Sequence, residues 1–236
     1  MSVIAHDFDS AGVKIHYSVR GHGEPVLLIH GLYSSGRVNW DSPGVSARLA
    51  ERFQVITLDC RGHGHSDKPQ AEDAYGINMV DDVIRLMDHL KIQKASIAGY
   101  SMGGSIGLKL IVMHPERVNR FVLCAMGWRK PGAPLYRFWE SAEGERFKGA
   151  KVDVPPACEK SFPDLSVTEE EIKAITIPVE IIIGDSDPYR EYYANPLHRV
   201  RPDWPVHIIA GAGHINCPVK AEFKTQLKAT LEKPHT

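Results

Sequence analysis

An α/β architecture is what this sequence predicts: a mostly parallel central sheet flanked by helices, with one short irregular insertion. Three observations predict it. Short β-branched runs such as Val55-Ile56-Thr57-Leu58 and Glu180-Ile181-Ile182-Ile183 recur along the chain. Segments with apolar residues at helical spacing lie between them, as expected for strand–helix–strand units. The strand runs do not alternate apolar with polar, which suits strands covered on both faces.

The elements follow in order. Val13–Val19 reads as a strand, paired with Ile4–Phe8 through the turn around Ser10–Gly12. Val26–Ile29, Val55–Leu58, Ala95–Ala98, Phe121–Cys124, Glu180–Ile183 and Val206–Ile209 supply the rest of the sheet. Met79, Val83, Leu86, Met87 and Leu90 recur at the helical period and predict a helix over 77–90. A second helix runs Met102–Met113 and stops before Pro115, which cannot continue it. Val219, Phe223, Leu227 and Leu231 recur every four residues and predict a C-terminal helix.

One stretch breaks the pattern. From 126 to 176 there is no clear strand, and prolines and aromatics cluster, among them Trp128, Phe138, Trp139 and Phe147. The expected organisation is therefore a core of residues 1–125 and 177–236 with a short cap or lid at 126–176. The aromatics of that lid are the expected substrate-binding groups.

Charge narrows the function. The chain has 28 Lys and Arg against 29 Asp and Glu, a formal net charge of −1, so the basic excess of a nucleic-acid binder is missing. The same balance gives no electrostatic case for anionic membranes. The opening residues MSVIAHDFDS have no charged n-region followed by an apolar core, and no secretory signal is expected. The cysteines at 60, 124, 158 and 217 are far apart and lack metal-type spacing. They read as reduced thiols of a cytoplasmic protein.

The strongest chemical signal is Gly99-Tyr100-Ser101-Met102-Gly103, followed by Gly104. It sits between the strand 95–98 and the helix that starts at Met102. A strand-to-helix turn this sharp brings backbone segments close, and glycines at 99 and 103 remove the colliding β-carbons. The turn exposes the Ser101 hydroxyl at the carboxyl end of the sheet, beside a helix N-terminus. Ser101 is the expected nucleophile.

A serine needs a base, and the sequence offers 12 histidines. His214 lies just after the final strand and before the last helix, on a loop able to reach over the sheet. The third group is an acid that fixes the histidine tautomer and stabilises the imidazolium. Gly184-Asp185-Ser186-Asp187-Pro188 follows the preceding strand and offers both Asp185 and Asp187. Residue type alone does not separate them.

With these residues the chain resembles the α/β-hydrolase superfamily, on its esterase-like side, from Pro25 to the last helix. His30-Gly31 resembles the family's HG element, and Asp59-Cys60-Arg61-Gly62-His63-Gly64-His65-Ser66 its D-x-R-G-x-G-x-S loop. Gly99–Gly103 resembles the nucleophile elbow, and Gly213-His214 the histidine loop. The order Ser, Asp, His along the chain is that of the family. The resemblance of Gly184-x-x-Asp187 to the family's G-x-x-D loop favours Asp187 as the acid. It also implies an oxyanion hole made by the backbone N–H groups of Leu32 and Met102. His30 and Arg61 are expected to brace loops, and Asp59 is given no catalytic part. The insertion is shorter than the helical cap usual on this core, so substrate preference does not carry over.

The expected activity is cleavage of small carboxylic esters through an acyl-enzyme on Ser101. Alternatives with the same triad are a cofactor-free perhydrolase of the haloperoxidase type, a carbon–carbon bond hydrolase and a lactonase. A receptor-like protein with slow hydrolysis is the alternative from another class. Ser101 stands where haloalkane dehalogenases and epoxide hydrolases carry an aspartate. No metal and no cofactor is expected, since nucleophile, base and oxyanion donors suffice. The expected partner is a small-molecule ester.

Overall fold

The computed structural model describes residues 3–132 and 153–234. They form an eight-stranded sheet in the order β1-β2-β4-β3-β5-β6-β7-β8. Strands β1 (Ile4–Ser10) and β2 (Val13–Arg20) are an antiparallel hairpin, and β2 pairs antiparallel with β4 (Phe53–Leu58). From β4 onward all pairings are parallel, through β3 (Glu24–Ile29), β5 (Ala95–Tyr100), β6 (Val118–Cys124), β7 (Val179–Gly184) and β8 (Val206–Ile209). The chain is an α/β-hydrolase fold of the mostly parallel kind expected.

Burial on both faces explains the unbroken apolar runs. On β3, Leu27 and Ile29 enter one apolar cluster while Val26 and Leu28 enter the other. Helix α2 (Ile77–His89) packs Met79, Val83, Leu86 and Met87 on the first face, and α3 (Met102–Met113) adds Ile106, Leu110 and Ile111. On the second face, Trp40 and Leu49 of the segment holding α1 (Val45–Leu49) meet Phe223, Leu227 and Leu231 of the C-terminal helix, Ala221–Leu231.

Val219 departs from the expectation. It lies in a single 3-10 turn, Cys217–Val219, ahead of the C-terminal helix, and is 58% exposed. Pro218 is the second residue of that turn and Lys220 is extended, so Val219 falls out of the helical phase of Phe223, Leu227 and Leu231.

The described parts of 126–176 contain no strand. They hold two short α-helices, α4 (Pro156–Lys160) and α5 (Glu169–Ala174), with a 3-10 turn at Phe162–Leu165 between them. The second starts at a capping box in which Thr168 Oγ1 accepts from Glu171 N–H and the Glu171 carboxylate accepts from Thr168 N–H. Trp128, Cys158, Leu165, Val167 and Ile172 join the apolar cluster of the first sheet face. Trp128 is fully buried, with its indole N–H donating to the Val167 carbonyl at 2.6 Å. Phe138, Trp139 and Phe147 lie outside the described residues. No described helix is long and apolar enough to cross a membrane.

The sheet order places the site. The chain runs from β3 out to β4, then returns across β3 to β5. The loops at the carboxyl ends of β3 and β5 therefore diverge, which is the crevice where open α/β sheets bind ligands.

Candidate active site

Ser101 leaves β5 and enters α3 with φ 53° and ψ −111°, a backbone conformation costly for a residue with a β-carbon. Three hydrogen bonds hold it there. Ser101 N–H donates to the Cys124 carbonyl, and its own carbonyl accepts from Gly104 and Ser105 N–H. A β-carbon at Gly99 would strike the Gly103 carbonyl, and one at Gly103 would strike that of Ile29. Only glycine lets the strand, the helix and β3 approach this closely.

His214 is carried by the turn after β8 and is 4% exposed. Its Nε2 lies 2.9 Å from Ser101 Oγ, and its Nδ1 lies 2.9 Å from Asp187 Oδ2. A carboxylate offers only lone pairs, so Nδ1 carries the ring proton and Nε2 presents its lone pair to the Ser101 hydroxyl. Asp187 is held in turn by Tyr189, whose N–H donates to Oδ1 at 2.9 Å. The Tyr189 ring also covers the imidazole, with centroids 4.4 Å apart.

The two aspartates of the β7 loop separate cleanly. Asp187 is buried and faces His214, whereas Asp185 is exposed. Asp185 accepts from Gly211 N–H at 2.9 Å and Ala212 N–H at 3.2 Å, and the Gly211 N–H holds its carboxyl below the usual range. It fastens the start of the histidine loop to β7 without reaching the ring.

Met102 is the first residue of α3, and its N–H is one of the donors a helix start leaves without an intrahelical acceptor. Leu32 follows β3 at the same crevice. A β-carbon on neighbouring Gly31 would stand 3.4 Å from that of Ser101. The loop is anchored by buried Asn39, whose Oδ1 accepts from Gly31 N–H at 2.9 Å.

The remaining motif residues tie loops together. His30 Nε2 accepts from Cys60 N–H at 2.9 Å, so its proton is on Nδ1, which donates to the Gly31 carbonyl. Arg61 forks onto Asp82 through Nε at 2.7 Å and Nη2 at 2.6 Å, and Asp82 also accepts from Ser10 Oγ. Asp59 accepts from Gly36 and His65 N–H.

Asn39, Tyr189 and Tyr100 are site residues that the sequence reading did not single out. Tyr100 is the second residue of the Gly99–Gly103 turn, but nothing in that pattern tells where its hydroxyl goes. Among the described residues no three His, Cys, Asp or Glu side chains are grouped to hold a metal ion.

A family model described as alpha/beta hydrolase fold matches residues 24–145, and the chain belongs to that family. An uncharacterized protein of Mycobacterium tuberculosis is 37% identical over 119 residues, 49% of this chain and 33% of the relative. The 2-hydroxymuconate semialdehyde hydrolase of a Pseudomonas species is 35% identical over 130 residues, 51% of this chain and 42% of that protein. The matched region thus spans well under two thirds of either relative. Among solved structures, E-2-(acetamidomethylene)succinate hydrolase has a TM-score of 0.78 at 22% identity, covering 98% of this chain and 100% of that one. The enol-lactonase of Burkholderia xenovorans has a TM-score of 0.77 at 22% identity, covering 97% of this chain and 100% of that one. At these identities the two structures are alike in fold.

Proposed function

We propose that this protein is a serine hydrolase that cleaves small carboxylic esters through an acyl-enzyme on Ser101. The observation that carries the reading is the unbroken hydrogen-bonded chain from Ser101 Oγ through His214 to Asp187. His214 Nε2 takes the hydroxyl proton as Oγ attacks the ester carbonyl, and the imidazolium returns it to the leaving alcohol. Asp187 fixes the tautomer and stabilises the imidazolium. The N–H groups of Leu32 and Met102 receive the developing oxyanion. The proposed acyl-binding groups are Trp128 and, outside the described residues, Phe138, Trp139 and Phe147, all from the cap expected at 126–176. The reaction needs no metal or cofactor. Four buried free thiols support a cytoplasmic place of action.

The test is covalent. A serine-directed fluorophosphonate should label the protein once, at Ser101 by peptide mass, and p-nitrophenyl acetate and butyrate should be turned over many times. Labelling elsewhere, or a single turnover per protein, would overturn the reading. The Pseudomonas relative named for a semialdehyde substrate favours a second reading, carbon–carbon bond hydrolysis by the same residues. Faster turnover of a vinylogous 1,5-diketone acid than of any simple ester would decide for it.

A further inference from the structure

Tyr100 is the last residue of β5, and its side chain reaches the histidine loop. The hydroxyl is buried and donates to the backbone carbonyl of His214 at 2.7 Å. The ring is fixed edge-on by Trp40 on one side, with centroids 6.0 Å apart, and by Phe223 on the other, at 6.2 Å. The phenol stays a donor at any working pH, because burial pushes its ionisation well above the usual tyrosine range. The nucleophile and its neighbour in sequence thus grip the same distant residue, one by the ring and one by the backbone.

These two grips behave differently during turnover. Once Ser101 Oγ is esterified it has no proton to give, and its hydrogen bond to Nε2 is lost. Asp187 still holds Nδ1, and Asp185 still fastens the loop at Gly211 and Ala212, but the Asp187 bond acts on the ring and the Asp185 bonds act two and three residues before His214. The Tyr100 bond to the backbone does not depend on the state of Ser101. It is a backbone contact of His214 that persists through the acyl-enzyme, when His214 must stand ready to accept a proton from water.

We infer that Tyr100 is a positioning residue for deacylation: its hydroxyl holds the His214 backbone so that Nε2 stays in place while Ser101 is acylated. The inference rests on the acyl-enzyme reading above. In the step concerned, a water oxygen bonds to the acyl carbon as His214 Nε2 takes the water proton. The bond from that carbon to Ser101 Oγ then breaks, and Oγ takes the proton back from His214.

The test is Tyr100→Phe, which keeps the ring and removes the donor. Pre-steady-state hydrolysis of p-nitrophenyl acetate should show a burst followed by a slower steady state. The expected kcat is about tenfold below wild type, with KM falling in parallel, so that kcat/KM moves by no more than about twofold. Quenched mass spectrometry should find Ser101 acylated in a larger share of the variant than of the wild type. Tyr75→Phe is the control, since Tyr75 is a buried phenol that also donates to a backbone carbonyl, that of Pro69, at 2.9 Å. It should leave the partition between acylation and deacylation unchanged. Equal falls in kcat and kcat/KM for Tyr100→Phe, or a matching accumulation in Tyr75→Phe, would overturn the inference. No acyl group on Ser101 in any variant, despite turnover, would instead overturn the acyl-enzyme reading on which it rests.

Discussion

His214 and His63 are both buried imidazoles in loops at the carboxyl edge of the sheet, and they differ in what their ring nitrogens meet. His214 stands between a hydroxyl and a carboxylate, each within 2.9 Å. His63 has only the Arg61 carbonyl, 3.1 Å from Nδ1, and its Nε2 has no hydrogen-bond partner among the described residues. Burial, together with neighbouring His30, pulls the His63 imidazole down to about 3. Burial beside a second imidazole therefore keeps His63 neutral, with neither a carboxylate nor a hydroxyl at its ring nitrogens among the described residues. A carboxylate behind the ring and a hydroxyl in front make His214 able to take and return a proton. Three perturbations should break the comparison at its functional end, and one should sharpen it at the inert end.

The largest effect is expected at the hydroxyl. Ser101→Ala should lower kcat by about 10⁴-fold or more while the unfolding midpoint stays near wild type. A variant that keeps near-full activity towards p-nitrophenyl butyrate would place the nucleophile elsewhere.

Next comes the carboxylate. Asp187→Asn should cost about 10³- to 10⁴-fold in kcat, because an amide can present its N–H₂ to Nδ1 and favour the wrong tautomer. Asp185→Asn should cost no more than about tenfold, since its bonds go to the backbone of Gly211 and Ala212. Steady-state rates on one ester give the ranking, and the reverse order would mean that the loop works one step out of register.

At the inert end the effect is on stability. His63 is neutral in the folded chain down to about pH 3, whereas an unfolded histidine titrates near 6.5. Below pH 6.5 the unfolded chain binds the extra proton. The contribution is fully present above that pH and is lost as pH falls towards the folded value. The slope from His63 is about 1.4 kcal/mol per pH unit, or about 2 kcal/mol between pH 6.5 and 5. Buried His30, whose ionisation burial also lowers, acts in the same direction. Urea unfolding at both pH values should show the loss, and His63→Asn should flatten the slope by about one proton. An unchanged slope in that variant would mean that His63 charges without unfolding.

Legibility in the sequence followed the same divide. Ser101 could be read because backbone crowding demands glycine at 99 and 103, and a demand on residue type leaves a mark in the chain. His214 could be read from its place after the last strand. The separation of Asp185 from Asp187 could not be read from residue type. In a tight loop two carboxylates two residues apart have the same composition signal, and only the path of the backbone turns one inward. Asn39 and Tyr100 were equally hidden, because each acts on a partner made close by the fold: Gly31 for one, and His214, 114 positions away, for the other. Val219 misled for a local reason. Its spacing fits the helix, but Pro218 and an extended Lys220 set the helix start beyond it.

The smallest effect is expected at the acyl site. Selectivity comes from groups that enclose the remote end of the substrate. If Trp128, Phe138, Trp139 and Phe147 wall a compact apolar site, esters of about two to six acyl carbons should be cleaved faster than long ones. A longer chain gains no contact once it passes the wall. Trp128 has two attachments that bear on its own part. Its ring is buried in the core cluster and its N–H is committed to Val167. Trp128→Phe therefore tests the wall with least loss of packing, and Trp139→Ala tests a second member of the same set. The measurement is kcat/KM from acetate to palmitate in the wild type and both variants, beside their urea midpoints. The expected result is an optimum that moves by about two carbons, with a rate change of about three- to tenfold at the longer chains. An unmoved optimum in both variants, with a lowered midpoint for Trp128→Phe, would make Trp128 core alone and leave the acyl site to other residues.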